Sequence, residues 1–339
     1  MRGHSFSPPP PAGVSPPIHS IAEASAHGQG SAGRIGERSL VGESPMAEAE
    51  VVDRAGVYNT RPVGPYDVSD ELRPRIEEFD LWAVIEDLKE HGYAVIRDAA
   101  PPELMDELRE AIHSLSQPAD AKATGIAGSA PLLLGRHPAI DRVATLPKVM
   151  AIAEFSCGKA ARAGRFVGSI KHPFEGEGDG ALTLHADQNW LPVPFPEHNC
   201  VMTFCFACEG MTEAGGSTCV VPGSHRLRRP PTPEETKTAK TVAIETDKGD
   251  VAVWDGSVWH GSYARRTPGT RTVLHATYQR LYTQPIDDFT YLLGDDEYMA
   301  NAPEGMRQLL GADLFFHTAT PERDVDMRKF MYAAVASKI

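Results

Sequence analysis

From about residue 162 the chain is cut into short β-type runs, at 165–171, 181–190, 200–208, 217–222, 241–246, 250–254 and 271–282. Turns rich in glycine, proline and aspartate separate them, among them Gly176-Glu177-Gly178-Asp179-Gly180 and Pro268-Gly269. Many short strands at close spacing point to a sandwich or barrel. Helical patterns precede them. Ile76, Phe79, Trp82, Ala83 and Leu88 recur at three- and four-residue steps within 69–90, and Gly92 stops that helix. Tyr93 to Ile96 reads as a short buried strand. Pro101-Pro102 opens a second helix carrying Leu104, Leu108, Ala111, Ile112 and Leu115, and another helical stretch lies near 147–162. The expected class is mainly β with flanking helices (α+β), the helices lying on one side. Residues 118–135, rich in Gly, Ala and Pro and without periodicity, are expected to form a mobile loop.

The first 45 residues have almost no large apolar side chains and include consecutive prolines from Pro8 to Pro11. Burial there cannot offset backbone entropy, so the stretch reads as a disordered tail, with Met46 as an alternative natural start. A single domain is expected over 46–339. Its last part, 285–339, reads as a mixed, partly helical extension that forms a lid, a substrate wall or a homodimer contact. No window is long and apolar enough for a secretory leader or a membrane span. Five cysteines at irregular spacing (Cys157, Cys200, Cys205, Cys208, Cys219) fit reduced thiols better than a disulfide framework. A formal charge of −13 argues against nucleic acid as a partner. The expected compartment is the cytoplasm, with a peroxisomal alternative in the terminal Ser337-Lys338-Ile339.

Chemistry concentrates in a few positions. Side chains alternate across a strand, so His185 and Asp187 aim an imidazole and a carboxylate at a common point while Ala186 faces away. A second strand, after the Asp255-Gly256 turn, delivers His260 and, two residues on, Ser262. Two histidines and one carboxylate on one face of a metal leave open positions, as in non-haem Fe(II) oxygenases. A closed zinc site would need a fourth ligand, and no cysteine pair sits near these three. Arg271 starts the next strand and shares its inward face with Val273, His275 and Thr277. Its planar guanidinium suits a carboxylate, with the Ser262 hydroxyl as a further donor.

Residues 79–282 resemble the phytanoyl-CoA dioxygenase family of Fe(II)- and 2-oxoglutarate-dependent oxygenases. The resemblance is carried by His91 to Ile96, His185-Ala186-Asp187, the segment Gly215 to His225, and Gly249-Asp250 leading to Trp259-His260 and Arg271. It implies a double-stranded β-helix (a jelly roll, cupin-like) with iron at its mouth. By family pattern His185, Asp187 and His260 bind Fe(II). Arg271 and Ser262 hold the distal carboxylate of 2-oxoglutarate, and the position of Thr203 corresponds to one that lines the co-substrate in some members. O2 is consumed, succinate and carbon dioxide are released, and an aliphatic C–H of a small-molecule substrate is hydroxylated or otherwise oxidised. Related halogenases replace the carboxylate by a small residue, so Asp187 argues against halogenation. A non-catalytic relative, or another metal-dependent cupin-like protein, is the alternative. The first would be expected to lose a ligand or the arginine, and the second has no need of Arg271 and Ser262.

Other positions carry plainer readings. His225 in Pro222-Gly223-Ser224-His225 is expected to build a loop, and Cys205 and Cys208 to be buried strand thiols. Arg226, Arg228 and Arg229 read as a solvated basic loop rather than an anchor for an acyl-CoA phosphate. Gln188, Asn189 and Trp190 follow the metal pair closely enough to meet substrate, with core packing as the alternative for Trp190. His275 stands as either a pocket wall or a hydrogen-bonded inward histidine.

Overall fold

The computed structural model describes residues 64–312 apart from 121, 123 and 177–179. The proline-rich tail, Met46 and the terminal tripeptide lie outside the described residues. Five helices, α1 (Arg73–Glu78), α2 (Trp82–His91), α3 (Pro102–Leu115), α4 (Pro138–Ala144) and α5 (Pro147–Cys157), precede most of the strands. The strands are β1 (Tyr93–Ile96), β2 (Gln117–Pro118), β3 (Ile126–Ala130), β4 (Arg162–Lys171), β5 (Leu182–His185), β6 (Val201–Ala207), β7 (Thr218–Val220), β8 (Val242–Ala243), β9 (Val251–Asp255), β10 (His260–Ser262) and β11 (Arg271–Gln279). They make two antiparallel sheets, ordered β1-β9-β6-β11-β4-β3-β2 and β5-β10-β7-β8. This is the expected double-stranded β-helix.

Alternation along the central strands explains the layering. On β6, Met202, Phe204 and Phe206 join the core shared with the helices, while Cys205 and Ala207 face a second core with Met211, Val220 and Val258. On β11, Leu274, Ala276 and Tyr278 meet the helical core and Val273 the inner one. Each of these aromatic side chains, buried on the helical side, contributes about 1.5–3 kcal/mol of transfer free energy. The Tyr278 hydroxyl donates to the Ala144 carbonyl at 2.5 Å, so the phenol is buried without an unpaired donor. All five cysteines are buried and free. Among the described residues no helix is long and apolar enough to cross a membrane.

Three local expectations are corrected. The helical pattern at 69–90 is two helices, because Asp80 adopts a left-handed conformation (φ 53°) between them. Residues 118–135 hold the end of β2 and all of β3, and Ile126, Gly128, Ser129 and Ala130 pair with β4. Backbone pairing at a sheet edge stabilises this stretch although its composition lacks a strand pattern. The run at 181–190 is a strand only to His185; the chain then turns, with Asn189 N–H donating to the Ala186 carbonyl at 3.2 Å. Beyond β11, Leu292, Met306, Leu309 and Leu310 pack into the helical core.

Gly92 closes α2 in the left-handed region (φ 81°). A Cβ there would lie 2.5 Å from His225 Nδ1. The Pro222–His225 loop thus presses on the helix end, in keeping with its expected architectural part. Gly92→Ala is predicted to destabilise the fold by roughly 1–3 kcal/mol through backbone strain alone, with more from the clash. A lower urea midpoint at an unchanged slope would show it; an unchanged midpoint would refute it.

Candidate active site

The register of β5 and β10 makes His185 and His260 direct cross-strand partners, with ring centroids 4.2 Å apart. Gly261, between His260 and Ser262, permits this close pairing because a Cβ there would collide with the Leu182 carbonyl. Asp187 comes from the turn after β5. Its Oδ1 lies 3.8 Å from His185 Nε2 and 3.4 Å from His260 Nε2. All three donor atoms fall within 4.8 Å of one another.

Hydrogen bonds explain how these side chains present themselves. His185 Nδ1 lies 3.0 Å from the Thr183 carbonyl and His260 Nδ1 lies 3.1 Å from the Val258 carbonyl. A carbonyl only accepts, so each Nδ1 carries a proton and each Nε2 is the ring atom turned toward Asp187; burial lowers the His185 pKa, whereas Asp187 raises that of His260 against the effect of burial. Asp187 Oδ2 accepts from Thr203 Oγ1 at 2.6 Å and from Trp254 Nε1 at 3.0 Å, which leaves Oδ1 facing the histidines. Burial alone would raise the carboxyl, but His260 and the Thr203 hydrogen bond outweigh it and hold Asp187 well below the usual carboxylate range. Two imidazole Nε2 atoms and an ionised carboxylate on one side of a point fit a divalent cation, which would take the place of any Nε2 proton and leave open positions opposite.

The site opens into a cavity of about 350 Å³ lined by the three ligand candidates together with Thr203, Ser262, Arg271, His275 and Trp190. Arg271 is buried; its Nη1 donates to the Gly216 carbonyl, and its Nε is a buried donor with no partner among the described residues. An unpaired N–H on a buried, charged guanidinium is a place for an anion. Lys171, the register partner of Arg271 on β4, donates from Nζ to Ser262 Oγ at 2.9 Å.

The six residues singled out from the sequence therefore meet in one cavity. Thr203 lines it, but its hydroxyl is committed to Asp187. Asn189 and Trp190 also line the cavity, whereas Gln188 is buried away from it, donating to Ser257 Oγ at 2.5 Å and accepting from Cys200 N–H at 3.2 Å. His275 is a pocket wall against Trp254, its ring pushed down to about 4 by burial and then by Arg271, and so neutral. The basic loop is engaged elsewhere: Arg226 on the Lys89 carbonyl, Arg228 on Glu197 and Arg229 on Glu235.

Trp254 and Lys171 were missed. Trp254 shares the inward face of β9 with Ala252 and pairs in register with Thr203, so alternation alone marks it as a candidate. A lysine ending a strand carries no such signal.

Residues 88–273 match the family model for phytanoyl-CoA dioxygenase. The chain belongs to the phytanoyl-CoA dioxygenase family. It is accordingly a non-haem iron, 2-oxoglutarate-dependent dioxygenase. The dioxygenase af480 of Aspergillus fumigatus is 27% identical over 243 residues, covering 66% of this chain and 74% of that one. Two solved structures share the fold. The epimerase SnoN, in complex with Fe3+, alpha ketoglutarate and nogalamycin RO, is 21% identical with a TM-score of 0.51, over 59% of this chain and 84% of that one. HygX from Streptomyces hygroscopicus, with nickel and 2-oxoglutarate bound, is 16% identical with a TM-score of 0.50, over 60% of this chain and 89% of that one.

Thr203→Val keeps the shape of the side chain and removes the donor to Asp187. It is predicted to weaken metal binding by about tenfold or more while the metal-saturated protein keeps its 2-oxoglutarate affinity. Competition with a fluorescent chelator and calorimetry measure the two; the reverse pattern would return Thr203 to the co-substrate.

Proposed function

We propose that His185, Asp187 and His260 hold Fe(II), that Arg271 and Ser262 take the distal carboxylate of 2-oxoglutarate, and that an aliphatic C–H of a small organic metabolite is oxidised beside them. One observation carries the reading: a three-donor metal set shares a cavity with a buried guanidinium whose Nε has no partner among the described residues. A binding module has no use for that expensive pairing, and a metal-dependent hydrolase has no use for the anion site. Iron with 2-oxoglutarate bound supplies activation of O2, coupled to release of succinate and carbon dioxide.

The chain's own groups do the positioning. Thr203 and Trp254 hold Asp187 by one oxygen. The backbone acceptors at Thr183 and Val258 fix both imidazole tautomers. Arg271 offers a buried charged donor in the cavity wall. The wall beyond is largely apolar, with Trp190 and Ile286 at the rim, 45% and 54% exposed, and Arg165 as a further cation. That lining suits a small molecule with an apolar face. The commitments of Arg226, Arg228 and Arg229 favour a free metabolite over an acyl-CoA thioester, and Asp187 favours oxygenation over halogenation. A single catalytic domain from residue 46 and a cytoplasmic setting complete the reading, the free buried thiols supporting the latter.

Anaerobic addition of Fe(II) and 2-oxoglutarate should produce the weak visible charge-transfer band of that chelate, and succinate should form once O2 and a substrate are supplied. Absence of both would sink the proposal. Arg271→Ala is predicted to raise the 2-oxoglutarate requirement by about a hundredfold, the scale of a lost charge-assisted pair, with metal affinity nearly unchanged. Equal loss of both would contradict its role. Asp187→Ala should abolish the band and turnover, and Asp187→Gly with chloride present should yield no chlorinated product.

A further inference from the structure

The cavity has a second buried cation behind it. Lys171 closes β4 opposite Arg271, is wholly buried, and donates to Ser262 Oγ at 2.9 Å and to the Tyr263 carbonyl at 2.5 Å. Arg271 donates to the Gly216 carbonyl and toward Met211 Sδ at 3.9 Å. Neither cation is paired with a carboxylate among the described residues. Two buried positive groups side by side persist only if an anion completes the site or if one of them gives up its proton. The groups packed on Lys171 are Arg271 on β11, Cys219 on β7 and Tyr263 after β10, while β3 faces it with Ile126. None supplies a standing negative charge, because burial pushes the Cys219 thiol up to about 11.

We propose that Lys171 is a positioning residue for the co-substrate: its ammonium sets the direction of the Ser262 hydroxyl and adds a second positive charge behind the distal-carboxylate pocket. The inference rests on the reading of Arg271 and Ser262 as the anchor of 2-oxoglutarate. An ammonium has three donors and no acceptor. Ser262 Oγ therefore accepts from Lys171 and sends its own hydrogen elsewhere, and Ser262 lines the cavity. A neutral amine has a lone pair that can take that hydrogen, turning the hydroxyl away from the pocket. Burial, and then Arg271, bring Lys171 down to about 7. A carboxylate entering the pocket favours the ammonium, so the complex holds more protons than the free protein. Binding then takes up a proton above pH 7, and affinity falls as pH rises.

The test uses the full chain loaded with Mn(II) under anaerobic conditions and titrated calorimetrically with 2-oxoglutarate, from pH 7.5 to 9, in buffers of different ionisation heat. Wild type should take up as much as one proton per molecule bound and lose up to about tenfold in affinity per pH unit. Lys171→Met should bind at least about tenfold more weakly at pH 7.5, show no proton uptake in this range, and keep its Mn(II) affinity. Wild-type binding without proton uptake overturns the inference, and so does a variant with wild-type affinity and pH dependence. The wild-type measurement decides the matter even if the variant does not fold. A wild-type protein that binds Mn(II) but no 2-oxoglutarate fails differently, removing the co-substrate reading itself.

Discussion

Strands β6 and β11 must serve two surfaces at once, and the molecule is arranged around that demand. One face of each packs against helices and takes mainly apolar bulk: Met202, Phe204 and Phe206 on one strand, and Leu274, Ala276 and Tyr278 on the other. The opposite face bounds the interior between the sheets, where Thr203, Arg271, His275 and Thr277 border the cavity. A one-residue slip in register would send the guanidinium into the helical core and an aromatic ring into the site. Register therefore specifies the chemistry as well as the fold. The helical layer holds the register by making any slip costly in buried area.

The same alternation decides what could be read from the chain. Short strands divided by turn residues disclosed a two-layer β architecture, and the three candidate ligands with Arg271 and Ser262 disclosed a metal beside an anion site. Both readings depend on spacing along the sequence. What escaped depends on contacts across it. β2 and β3 lack a strand pattern because backbone pairing, of β3 to β4 and of β2 to β3, stabilises them more than side-chain burial does. His185 and Asp187 converge although the strand ends between them, since the turn after β5 reproduces the aim that a continued strand would have given. Trp254 and Thr203 reach Asp187 from neighbouring strands whose pairing only the folded sheet shows.

Net charge misleads in a related way. A chain of formal charge −13 carries beside its cavity two buried cations, neither of them paired with a carboxylate among the described residues. Surface acidity is spread through solvent and screened within about 10 Å. The buried pair acts in a medium of lower dielectric, where a few ångströms of separation matter far more. Lys171 shows the consequence: a side chain that composition counts as one ordinary basic residue is pushed down to about 7 by burial and then by Arg271.

Asp187 joins the two halves of the site. Its Oδ1 faces the histidines while its Oδ2 satisfies both Thr203 and Trp254. The carboxylate is thus a structural acceptor as well as a ligand candidate. Deleting it would leave a hydroxyl and an indole N–H inside the barrel without a partner, at a cost of about 1–3 kcal/mol each. A small residue at this position fits only if Thr203 and Trp254 change too, or if another acceptor takes their hydrogens. Removal of this one carboxylate would therefore disturb three residues on three elements.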